Sequence, residues 1–154
     1  MLSIHSDEHF MKLAVQQAQL AYEAGEIPVG AVVVSQQKVI AKAYNQVELL
    51  RDVTAHAEML ALTAAQNHLG AKYLEDCTLY VTLEPCTMCG GALFWSQIGK
   101  IVVAARDEKR GFSRLNPAIL HPKTEIVFGV MENEASQLVS DFFAAIRERQ
   151  KRKQ

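Results

Sequence analysis

A chain of 154 residues that is 49% hydrophobic and 21% charged has the size and apolar content of one globular domain over residues 1–154. No window approaches the roughly 18 uninterrupted apolar residues of a membrane-spanning helix. Met1–Phe10 mixes histidine with acids where a targeting signal would be basic and then apolar, so a cytoplasmic protein with no membrane partner is expected. The net charge of −1 is uneven: Arg147–Lys153 carries five of sixteen basic residues and one of seventeen acids, leaving eleven against sixteen, or −5, on the rest. Three cysteines, two of them closely spaced, suit metal binding in a reducing compartment better than a disulfide framework.

In chain order, Ser6-Asp7-Glu8 reads as a helix start, and Met11, Ala14, Val15, Ala18, Ala21 and Tyr22 mark one apolar face until Gly25 stops it. Pro28-Val29-Gly30 leads into Ala31–Val34, a continuous run of the kind buried on both faces of a sheet. A polar turn, Ser35-Gln36-Gln37, joins it to Lys38–Tyr44 and predicts a hairpin. Asn45 to Val53 reads as a loop leading into a second helix from about Ala55 to His68, with Thr54 as candidate cap and Gly70 as stop. Cys77–Leu83 is a third strand, Cys86 to about Gln97 a helix, and Ile101–Ala105 a fourth strand. A polar connection over 106–123 precedes a fifth strand, Glu125–Val130, and a last helix running from about Glu132 into the basic end. Strands alternating with helices after an initial hairpin imply a three-layer α/β domain, helices covering both faces of a five-stranded sheet.

The chemistry concentrates at Pro85-Cys86-Thr87-Met88-Cys89 and at His56-Ala57-Glu58. Cysteines three positions apart at a helix start share a face, and the N–H groups and positive dipole end there favour thiolate, the metal-binding form. His56, at the start of the other helix, supplies a third ligand. A closed structural zinc site needs four protein ligands, whereas a catalytic one keeps a position for water, and here the count stops at three. Glu58, two residues past the histidine, is placed to take a proton from such a water. Both ligand helices follow loops at one end of the sheet, so the metal, loop 45–53 and loop 106–123 are expected to share a mouth. Isolated residues take ordinary roles: Cys77 packs in the core, His68 and His121 lie at a helix end and in a loop, and Glu84 fixes local backbone. Asn45 sits where asparagine is a common turn residue. Phe94-Trp95 and Phe142-Phe143 read as core or dimer-contact residues.

His-x-Glu followed by Pro-Cys-x-x-Cys is the signature of the zinc deaminases. With Glu26–Ala31, Thr54–Glu58, Leu79–Cys86, Ala105–Lys109 and Ser140–Phe143 added, the chain resembles the cytidine deaminase superfamily and, within it, the bacterial tRNA-specific adenosine deaminases, over most of its length. The resemblance implies a three-layer α/β/α cytidine-deaminase-like fold with a five-stranded mixed sheet and one Zn2+ per chain on His56, Cys86 and Cys89. It implies Glu58 as the catalytic proton shuttle. It also implies that Asn45 and the Ala57 backbone contact the base, that Val29 and Leu83 line its pocket, and that Asp107 lies near the substrate backbone. The activity implied is hydrolytic conversion of adenosine to inosine at the wobble position of a tRNA anticodon loop, by a homodimer. The chain departs from the family in having Val53 where proline often stands, and in a shorter stretch after Asp107-Glu108-Lys109-Arg110-Gly111. Two other readings stay open: a deaminase of a free base or nucleoside such as guanine, cytosine or adenosine, and a non-enzymatic zinc-stabilised RNA-binding protein. Glu58 and the three-ligand count argue against the last. The basic end reads either as an arm for phosphates or as a solvated helix terminus.

Overall fold

The computed structural model describes residues 5–153; Met1–Ile4, part of the stretch searched for a targeting signal, and Gln154 lie outside the described residues. Helix α1 (Asp7–Glu23) begins where the Ser6 hydroxyl accepts the His9 N–H at 3.1 Å, and it buries Phe10, Met11, Ala14, Val15, Ala18 and Ala21 on one face. Tyr22 is only half-buried and meets the Phe142 ring edge-on at 5.9 Å. Strands β1 (Gly30–Ser35) and β2 (Lys38–Tyr44) form the expected hairpin. Its turn residues Gln36 and Gln37 have φ of 51° and 65°, both in the left-handed region, as a two-residue turn that matches strand twist demands.

The loop expected over 45–53 is not wholly irregular: Val47–Leu50 makes one helical turn, α2. Helix α3 (Ala57–Leu69) ends on Gly70 at φ +63°, the left-handed cap anticipated for that glycine. Strand β3 (Cys77–Leu83), helix α4 (Thr87–Ser96) and strand β4 (Lys100–Ala105) follow. The connection after β4 contains a second short turn, α5 (Phe112–Leu115), before strand β5 (Glu125–Phe128) and helix α6 (Glu132–Arg152).

The five strands lie in the order β2-β1-β3-β4-β5; β1 is antiparallel to both β2 and β3, while β3, β4 and β5 run parallel. The sheet is therefore mixed, and alternation along each strand divides its side chains between two cores. Ala31, Val33, Leu79, Val81, Ile101 and Val103 face α3 and α4 with Ala61, Leu62 and Leu93. Val32, Val34, Tyr80, Val102 and Ala104 face α1 and α6 with Phe10, Met11 and Ala135. Each fully buried valine, leucine or isoleucine contributes about 1.5–3 kcal/mol, so these two layers dominate the folding energy. Tyr80 reaches through the second layer to donate its hydroxyl to Asp7 at 2.8 Å, and Asp7 also pairs with Lys100 at 3.6 Å, tying the start of α1 to the sheet. No described helix is long and apolar enough to cross a membrane. The last turns of α6, residues 147–153, are exposed throughout, with acids at the helix start and Arg149, Lys151 and Arg152 at its end, as the helix dipole favours.

Helix α1 approaches β1 most closely at Gly30, where an added Cβ would overlap the Ala14 carbonyl oxygen and stand 2.8 Å from the Gln17 Cβ. Replacement of Gly30 by alanine should therefore force α1 off the sheet at a cost of about 1–3 kcal/mol, seen as a lower urea midpoint with an unchanged slope. An unchanged midpoint would show that the helix can shift freely.

Candidate active site

Three residues that coordinate metals readily come together where two helices begin. His56 is the N-cap of α3 and Cys86 the N-cap of α4, both with extended backbone, and Cys89 lies in the first turn of α4. The helix starts differ by one or two positions from expectation. Cys86 caps α4 instead of opening it, and Thr54 is not the cap of α3, because its hydroxyl and N–H both engage Asp52 at 2.7 and 2.8 Å. Antiparallel pairing of β1 with both β2 and β3 sets the end of β2, which leads to α3, at the same end of the sheet as the β3–α4 turn.

The His56 Nδ1 stands 3.6 Å from the Cys86 sulfur and 3.5 Å from the Cys89 sulfur, and all three ligand atoms lie within 4.8 Å of one another. Ligands of a tetrahedral zinc, at about 2.3 Å for sulfur and 2.0 Å for nitrogen, are separated by about 3.5 Å, so the triangle fits that ion in size as well as in donor type. The Cys86 thiol is held down to about 5, chiefly by the hydrogen bond from Cys89 and further by the N–H groups of Cys89 and Met88 and by His56, against the effect of burial. Cys89 is pushed up, first as the donor to Cys86 and then by its burial. The two sulfurs thus hold one proton between them and present one ready thiolate, as expected at a helix N-terminus.

Glu58 is 4% exposed and contacts the Cys89 sulfur. Burial pushes its carboxyl up to about 7; its own backbone N–H opposes this, the Cys86 sulfur adds to the rise, and His56 and Cys89 act in the lowering direction. A carboxyl poised there both accepts and returns a proton near neutral pH.

Of the other predicted residues, Asn45 is tied directly to the start of α3. Asn45 is buried, donating from Nδ2 to the Ile27 carbonyl at 3.1 Å and accepting the Ala57 N–H on Oδ1 at 2.7 Å. It thereby satisfies a first-turn donor of α3 that the His56 cap leaves free. Val29 accepts the Asn45 N–H at 3.1 Å, and the β1–β3 register, extended past Ala31↔Val81, sets Val29 opposite Leu83. The Asp107 carboxylate accepts the N–H groups of Lys109 and Arg110, each at 3.0 Å, so it folds its own loop. Cys77 is buried in the core, and His68 and His121 stand apart from the metal group. Sequence reasoning missed Glu26. It is 2% exposed and its two oxygens accept the N–H groups of Glu48 and Leu49 at 3.0 and 2.8 Å, pinning α2 beside the mouth. The only signal was an acid set between a helix-stopping glycine and an apolar run.

Residues 4–105 match the model of the cytidine and deoxycytidylate deaminase zinc-binding region. The chain belongs to that family. Like its other members, this deaminase carries its zinc-binding region across both ligand motifs. It is 47% identical over 145 residues to the tRNA-specific adenosine deaminase of Aquifex aeolicus, covering 91% of this chain and 95% of that protein. A structure from work on A-to-I editing by tRNA:A34 deaminases superposes with a TM-score of 0.79 at 38% identity, covering 84% of this chain and 98% of the other. The guanine deaminase of Nitrosomonas europaea superposes with a TM-score of 0.80 at 27% identity, covering 90% and 85%.

Replacing His56 by alanine removes one corner of the triangle and should weaken zinc binding by more than about a hundredfold, beyond the loss caused by removing a supporting partner of a ligand. Metal analysis after dialysis against a weak chelator checks this; retention of one zinc per chain would contradict the ligand assignment.

Proposed function

We propose that this deaminase converts adenosine to inosine at the wobble position of tRNA, acting in the cytoplasm as a homodimer. The observation that carries the chemistry is the buried Glu58 carboxyl in contact with the His56, Cys86, Cys89 triangle. The relatives at up to 47% identity support the substrate. Zinc held by the three ligands would supply Lewis acidity, lowering the pKa of a water from about 15.7 towards roughly 7. Glu58 would take one proton from the attacking water and deliver it to N1 of the adenine ring as the oxygen adds at C6. The same carboxyl would then take the remaining proton of the new C6 hydroxyl and pass it to the departing amino group, so that adenosine and water become inosine and ammonia. Asn45, whose carboxamide is oriented by Ile27 and Ala57, holds the edge of the base, and Ala57 contributes through its backbone. Val29 and Leu83 form the apolar walls, and Asp107 lies along the substrate backbone. A base must leave its stack to enter, which suits an anticodon loop better than a duplex. The exposed basic end of α6 extends from the body as an arm for the tRNA phosphates.

The test is inosine formation and ammonia release by the zinc-loaded protein, with an anticodon stem-loop bearing a wobble adenosine set beside guanine, cytosine and adenosine. Inosine in the stem-loop alone is expected; turnover of free guanine alone would move the protein to the chemistry of its Nitrosomonas neighbour. In the same assay Glu58→Ala should lose about 10²–10⁴ in kcat while keeping its zinc. Removing residues 147–154 should weaken stem-loop binding and flatten its dependence on salt. Full activity in the first variant, or an unchanged salt slope in the second, would count against the corresponding role. Trp95 on α4 and Phe143 on α6, 76% and 38% exposed, are aromatics that pairing would cover. Light scattering should give twice the chain mass, and a monomer would remove the dimer.

A further inference from the structure

Glu84 directly follows β3, two residues before Cys86, yet it takes no part in the metal group. It is 3% exposed, and its carboxylate faces backwards into the β4–α5 connection. Oε1 accepts the Asp107 N–H at 3.1 Å, and Oε2 accepts both the Ser113 N–H at 3.0 Å and the Ser113 hydroxyl. The segment wraps so closely that a Cβ on Gly111 would overlap the Glu84 carboxyl group and lie 2.6 Å from the Asp107 carbonyl oxygen. Backbone bonds complete the junction: Glu84 donates to the Ala105 carbonyl at 2.8 Å and Phe112 to the Pro85 carbonyl at 2.9 Å. Phe112, 4% exposed, packs beside Gly90 on α4.

The outer side of the same segment is basic. Arg106, Lys109, Arg110 and Arg114 are all exposed, and Arg106 is laid flat over the Phe128 ring, 3.7 Å from its centroid. Four cations within nine residues, with one of the two intervening acids turned to its own backbone, present a surface for phosphates at the rim of the mouth. A segment with so little regular structure would leave those cations mobile, unless a buried acceptor fixed its N–H groups. Charge-assisted bonds from a desolvated carboxylate do this more strongly than neutral ones.

We infer that Glu84 is a positioning residue, whose carboxylate registers the basic segment 106–114 against the Cys86 turn so that substrate phosphates and the reacting base are held at one fixed distance. It rests on the RNA substrate proposed above. Glu84 touches neither base nor metal, and acts through the loop.

The test compares zinc-loaded wild type with Glu84→Gln, which sets an N–H against donors, and with Gly111→Ala, which pushes the segment and the Glu84 carboxylate apart while leaving that carboxylate chemically intact. Both variants should keep one zinc per chain and raise KM for the stem-loop by about tenfold or more, with kcat at saturation within about threefold. Amide exchange at Asp107 and Ser113 should accelerate in both. Unchanged KM with zinc retained, or a fall in kcat alone, would overturn the inference, and so would loss of zinc in both variants, which would make Glu84 a support of the metal turn. Should Glu84→Gln fail to fold, Gly111→Ala decides by the same readouts. A wild-type protein that leaves the stem-loop unmodified would sink the substrate reading; unaltered exchange at Asp107 and Ser113 would separately sink the role of Glu84.

Discussion

Bringing an imidazole nitrogen within 3.6 Å of two sulfurs that lie 30 and 33 residues further along the chain requires two helices to start at the same place, pointing at one another. The sheet arranges this. β1 is antiparallel to both β2 and β3, so the end of β2, which leads to α3, and the end of β3, which leads to α4, lie together at one end. Both N-cap positions are given to ligands instead of to serine, threonine or aspartate. That choice costs a side-chain cap on α3 but aims the dipole of each helix at the site, where it favours thiolate. The Ala57 N–H, left without a cap, is taken by Asn45 from the entrance loop. Cap replacement therefore couples the metal helix to the segment over the mouth.

Two buried carboxylates do the equivalent task for the walls. Glu26 gathers the N–H groups that begin α2, and Glu84 gathers those around α5. Neither is paired with a cation among the hydrogen bonds and ion pair of the described residues; backbone donors satisfy them, and no buried side-chain nitrogen or oxygen among the described residues lacks a partner. An unsatisfied acceptor there would cost about 1–3 kcal/mol, so each carboxylate and its loop stabilise one conformation jointly. Glu58 is the contrasting case. It is as buried as the other two, but its surroundings push its carboxyl up to about 7. Burial is the main cause of that rise, and the Cys86 sulfur adds to it.

The departures from the sequence reading share a cause. Asn45 to Val53 and the stretch after Asp107 have loop composition, and each contains a single helical turn, α2 and α5, too short to leave a periodic pattern. What stabilises them is a glutamate 22 to 29 residues away. Thr54 had the residue type of a cap but sits beside Asp52, which claims both of its hydrogen-bonding groups. Gln36 and Gln37 adopt left-handed φ with neither glycine nor asparagine present, so only strand pairing reveals the turn type.

Local pattern was enough for the long elements, because a helix face or a doubly buried strand writes its period directly into consecutive residues. It was also enough for the metal group: His56, Cys86 and Cys89 sit in two short runs whose donor types and spacing admit few other uses. Only the tertiary structure decided what each buried carboxylate meets. Glu26, Glu58 and Glu84 are the same residue type at the edges of apolar elements. They differ solely in the distant groups that packing brings against them: the N–H groups of Glu48 and Leu49, the Cys89 and Cys86 sulfurs, and the Asp107 and Ser113 amides.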